Sequence, residues 1–77
     1  MPNPFEILVT YADYRQAFIA ELWLNNIHTA ELYEDAQGGK HVEVYCPPEH
    51  VLSLPLKEFQ EALQQAKDRL WPPTTPQ

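Results

Sequence analysis

The sequence predicts an α+β domain in which a four-stranded antiparallel β-meander is closed by one C-terminal helix packed on one face. Three observations lead there. Two alternating runs, 17–24 and 27–34, meet at Asn25-Asn26. A two-residue hairpin turn needs φ > 0 at both central positions, a region asparagine enters more readily than any residue except glycine. Alternating segments lie on either side of that hairpin. Leu56, Phe59, Leu63, Ala66 and Leu70 then recur at spacings of three and four, the signature of one apolar helical stripe.

The first strand is expected over 5–11, rich in β-branched and aromatic residues, with Phe5, Ile7, Val9 and Tyr11 on one side. Residues 12–16 form a polar connection, and the second and third strands follow at 17–24 and 27–34. Gly38 and Gly39, the two glycines of the chain, mark the next reversal. The fourth strand runs over 40–46 and stops at Pro47-Pro48, since proline cannot donate to a ladder. Pro55 suits a first helical turn, so the helix spans 55–71, with Lys67 and Arg69 near its negative C-terminal end. Pro72 and Pro73 end it and leave 72–77 as a loose tail. Tyr14, Ala17, Phe18, Glu21 and Leu22 also fall at helical spacing, so the alternative is a β-α-β-β-α ferredoxin-like unit. It places Glu21 within the apolar stripe and Ile19, Trp23 and Leu24 outside it, and the meander is preferred.

A regular hairpin about Asn25-Asn26 sets Leu24 opposite Ile27, Trp23 opposite His28, Leu22 opposite Thr29 and Ile19 opposite Leu32. One face then carries Phe18, Ala20, Leu22, Leu24, Ile27 and Tyr33, with Val42, Val44 and Cys46 from the fourth strand. The other carries Ala17, Ile19, Trp23, Ala30, Leu32 and Tyr45, with Glu21, Glu34 and Glu43. Glu31 shares the first face with Leu22 and Ile27, which calls for a place at the sheet's edge, a partner or, the preferred reading, a salt bridge to a base such as Lys57 or Arg69. Glu21 and Glu31 fall on opposite faces, so no close carboxylate pair for acid–base chemistry is expected. One helix covers one face, and apolar residues on the second call for a partner.

The 77 residues make one domain, and a chain this short buries only about 60% of its unfolded surface. Small domains of this kind gain stability from disulfides, a metal or a second subunit. Cys46 is the lone cysteine, which excludes an intrachain disulfide. Cys46, His28, His41 and His50 show no C-x-x-C or H-x3-5-H spacing, so a four-ligand zinc site is not expected; no metal and no cofactor are expected. That leaves a homodimer.

The net charge of −6 sits in residues 1–50, where eight acids face two bases, Arg15 and Lys40. Clustered Lys and Arg are missing, which disfavours nucleic acid, while the acidic half suits a basic protein partner. No apolar stretch is long enough to cross a membrane, and Met1-Pro2-Asn3-Pro4 does not read as the start of a signal peptide. Cytoplasmic localisation is the resulting expectation.

No residue set reads as catalytic. Cys46 has no cation beside it in sequence and reads as a small buried hydrophobe rather than a nucleophile. His28 opposite Trp23 reads as a cross-strand pair, or as part of a small-molecule site with Trp23 and Tyr45. His41 and His50 read as solvated. Ile19, Trp23, His28, Leu32, Tyr45 and Trp71 are the candidate interface residues, the tryptophans as anchors.

The runs Phe18-Ile19-Ala20-Glu21-Leu22, Ala30-Glu31-Leu32 and Val42-Glu43-Val44-Tyr45, with the helix from Leu56 through Ala66-Lys67, resemble a group of small bacterial hypothetical proteins of the mobile gene cassette type. The resemblance spans about 17–71. It implies a β-meander with a C-terminal helix and no established activity. The functional expectation is a non-enzymatic homodimeric interaction or accessory protein, with an acidic antitoxin or immunity-type protein and a small-molecule binder as alternatives.

Overall fold

A computed structural model describes residues 3–73. Four strands, β1 (Phe5–Ala12), β2 (Ala17–Leu24), β3 (Ile27–Glu34) and β4 (Lys40–Val44), pair antiparallel in the order β1-β2-β3-β4, and helix α1 (Leu56–Leu70) follows. The fold is thus an open antiparallel sheet with one C-terminal helix. Residues 17–24 are a strand, which removes the ferredoxin-like alternative. Of the tail expected over 72–77, residues 74–77 lie outside the described residues.

The β2–β3 turn follows from its asparagines. Asn25 and Asn26 have φ of 52° and 64°, both in the left-handed region. Leu24 opposes Ile27 and Trp23 opposes His28, as a two-residue turn requires. The next pair departs from a regular ladder. Leu22 opposes Ala30, so Thr29 is an extra residue on β3. It forms a β-bulge, and its buried hydroxyl donates to the Leu22 carbonyl at 3.0 Å.

One inserted residue moves everything beyond it to the other face. Ala30, Leu32 and Glu34 therefore lie on the side that α1 covers, not the opposite one. Glu31 and Tyr33 lie on the open side, the reverse of the regular-hairpin expectation. Ala20 pairs with Leu32 and Glu21 with Glu31, where an unbulged ladder would pair Ile19 with Leu32.

The core forms between the sheet and the helix. Phe5, Ala20, Leu22 and Ala30 of the sheet pack with Ala62 and Ala66 of α1. Two alanines at i and i+4 let the helix backbone lie close to the sheet. Phe59, Leu63, Leu70 and Trp71 flank them, while Leu56, expected in the stripe, is exposed. Pro55 caps the helix, its carbonyl accepting from the Phe59 amide at 2.8 Å. Asn3 ties β1 to α1. Its side-chain nitrogen donates to the Glu58 carbonyl at 2.8 Å while its oxygen accepts from the Phe5 amide.

The helix packs mainly on β1 and β2 and buries Ala30 and Leu32 of β3, while β4 and the start of β3 stay open on the same face. There Ile27, Val42 and Val44 are 63%, 48% and 46% exposed. A groove of about 340 Å³ runs beside them, lined by Leu32, Val42, Leu63, Lys67 and Trp71. Exposed apolar surface thus lies beside the helix as well as on the far face, where Leu8, opposite Glu21, is 52% exposed.

β4 ends at Val44 rather than reaching 46. Cys46 is exposed, with its thiol donating to the His50 carbonyl at 3.0 Å, so it is not the buried hydrophobe expected.

Candidate functional site

The open side of the sheet carries a row of carboxylates. Leu8 pairs with Glu21, Glu21 with Glu31, and Glu31 with Glu43, which sets three glutamates abreast on β2, β3 and β4. Like charges directly opposite one another destabilise a sheet, so the row needs a counter-charge. It comes from the β1–β2 turn. Asp13–Gln16 forms a tight reversal in which the Arg15 amide donates to the Ala12 carbonyl and Gln16 takes φ 53°. Arg15 reaches over the sheet from there. Its Nε donates to Glu31 Oε2 at 2.5 Å and its Nη2 to Glu43 Oε2 at 2.7 Å. The guanidinium lies 3.5 Å from the centroid of the Tyr33 ring, a cation–π contact.

Glu31 is 0% exposed, and both of its oxygens are hydrogen-bonded by this arrangement. Oε1 accepts from the Tyr14 hydroxyl at 2.5 Å and from the Tyr45 hydroxyl at 3.0 Å. Burial alone raises a carboxyl pKa, but donation from Tyr14, Arg15 and Tyr45 outweighs it and holds Glu31 below the usual range. The same bonds act on the donors. Donation to Glu31 pushes the Tyr14 phenol up to about 12, and burial with donation to Glu31 does the same for Tyr45. Burial opposes the Arg15 charge, and its bonds to Glu31 and Glu43 more than restore it. A carboxylate kept ionised in this way holds charge in place and is a poor proton acceptor.

A second row lies beside the first. His28 stacks on Trp23 with ring centroids 5.0 Å apart and meets Tyr45 at 4.9 Å. Trp23 Nε1 donates to Glu21 Oε1 at 3.1 Å. His28 Nε2 is buried with no hydrogen-bond partner among the described residues. Ligand atoms of Glu21, His28 and Glu31 all lie within 4.8 Å of one another. The expectation that Glu21 and Glu31 sit on opposite faces is thus corrected, and the Thr29 bulge is the cause.

Of the six candidate interface residues, Trp23, His28 and Tyr45 come together here, half-buried. Ile19 lies on the same side of the sheet, buried within the single chain. Leu32 lies on the helix side at the floor of the groove, and Trp71 closes the groove's end, with Lys40 Nζ 5.2 Å from its ring centroid. Tyr14 and Arg15 belong to the segment expected as a polar connection, and neither is expected at a site. The available clue was charge. A glutamate inside an apolar run needs a base, and the first fifty residues offer only Arg15 and Lys40. The bases expected for Glu31, Lys57 and Arg69, lie on α1, across the sheet from it.

No family model matches the chain, and no curated protein or solved structure matches it either.

Proposed function

We propose that the chain is a non-enzymatic interaction or accessory protein that works as a homodimer, with the second copy pairing along β4. The observation carrying this reading is the uncovered β4 margin of the helix-side face, where Ile27, Val42 and Val44 stand beside an apolar groove and an open strand edge. Fully burying such a side chain contributes roughly 1.5–3 kcal/mol, and each of these, about half exposed already, would add about half of that.

The edge also favours one register. The Tyr45 amide donates to the Thr29 carbonyl of β3, so in a regular antiparallel ladder the Val42 amide and carbonyl point outward. A two-fold axis at Val42 would set Val42 against Val42, His41 against Glu43 and Lys40 against Val44. An axis at Glu43 would instead oppose two carboxylates. The Val42 register therefore avoids opposed carboxylates and keeps hydrogen bonding continuous, and a two-fold interface is the usual form of a homodimer.

Sedimentation equilibrium tests the reading. The wild-type chain is expected at twice the monomer mass at tens of micromolar concentration, and Val42→Glu at the mass of one chain with an unchanged circular dichroism spectrum. A folded wild-type monomer at that concentration overturns it.

A further inference from the structure

We propose that Glu21, His28 and Glu31 form a binding site for one divalent transition-metal ion of the zinc type. Three observations converge on it. The ligand atoms of these side chains already lie within 4.8 Å of one another. The buried His28 Nε2 lacks a partner among the described residues, an arrangement folded proteins rarely leave uncompensated. The charges leave a deficit as well. Glu21, Glu31 and Glu43 stand in one row, and Arg15 bonds only Glu31 and Glu43, so among the described residues Glu21 has the Trp23 indole as its donor and no cation beside it.

The chemistry of the donor set selects the ion. One imidazole with two carboxylates suits zinc and its neighbours, whereas magnesium and calcium take oxygen ligands alone. Three protein ligands leave the fourth tetrahedral position to water. Metal–ligand bonds of about 2.0–2.2 Å place tetrahedral ligand atoms about 3.4 Å apart, so side-chain rotation has to close the present cluster by roughly an ångström. Arg15 opposes a cation but does not prevent one. The four side chains of the row, three acids and one base, still sum to two negative charges, and Glu31 Oε2 has accepted a single hydrogen bond. Trp23 acts as a positioning residue, stacking on His28 while it donates to Glu21. The ion would sit on the opposite face of the sheet from the apolar groove, so this inference stands independently of the dimer.

The test is calorimetric titration of the full chain with Zn²⁺, paired with visible absorption of the Co²⁺ form. One ion per chain and cobalt bands of low-symmetry tetrahedral type are expected. His28→Gln and Glu21→Gln should each weaken Zn²⁺ binding by at least about ten-fold with the circular dichroism spectrum unchanged, while His41→Gln and Cys46→Ser bind as wild type. Should His28→Gln fail to fold, Glu21→Gln, on a half-buried side chain, decides the matter. A wild-type chain that binds no Zn²⁺ overturns the inference, as does binding that survives in Glu21→Gln or moves with His41 or Cys46.

Discussion

Removing the Arg15 guanidinium leaves the Glu31 carboxylate inside the protein with two phenolic donors and no opposing charge. Breaking a buried ion pair from one side is costly because the surviving charge stays desolvated. Arg15→Met is therefore expected to lower unfolding free energy by about 3 kcal/mol in urea titrations, and the double variant Arg15→Met, Glu31→Met to recover much of that loss. Equal loss in the single and double variants would show that the carboxylate does not depend on Arg15. The tyrosines give a second readout. A phenol whose folded pKa is raised contributes stability that is complete below the unfolded value near 10. That contribution is lost as pH climbs toward about 12, the folded value for Tyr14 and Tyr45. Glu31 has the opposite sign. Its contribution is present above the ordinary carboxylate range and is lost as pH falls through its lowered folded value. In the presence of a chelator, tyrosinate absorbance should show a late-titrating component that moves toward 10 in Glu31→Gln. A titration identical in both proteins would contradict the network.

At the scale of the element, the Thr29 bulge decides which face every later residue of β3 occupies. Thr29→Val keeps the shape and removes the hydroxyl that satisfies the Leu22 carbonyl, so a loss of about 1 kcal/mol in urea unfolding is expected. A stability equal to wild type would mean that the hydroxyl bond does not hold the bulge. The strands, the Asn25-Asn26 turn and the helix were legible because each has a local cause in backbone preference or apolar period. The bulge was not, because no glycine announces it and a threonine hydroxyl does the work instead. One trace was present. Ile27 is out of phase with Ala30 and Leu32, so an apolar set of mixed parity in a single strand signals a skipped residue. Since the bulge places Glu31 beside Glu21 and His28, the candidate site became unreadable at the same point. Trp23 against His28, on the turn side of the bulge, was read correctly.

For the molecule as a whole, α1 is one helix laid over β1 and β2 of a four-stranded sheet, and its width does not extend to β4. On the far face Tyr14 and Arg15 fold over Glu31 and Ile19 is buried, while Leu8 stays half exposed. The apolar surface that the helix leaves beside itself is the groove and the free edge next to it, and we propose that a second copy meets that edge. Amide hydrogen exchange of the wild-type chain at high and low concentration tests this most directly. Protection of the outward amides of Lys40, Val42 and Val44 at high concentration, lost on dilution while the β2–β3 amides stay protected, is the predicted result. Equally rapid exchange of those three amides at both concentrations would contradict it.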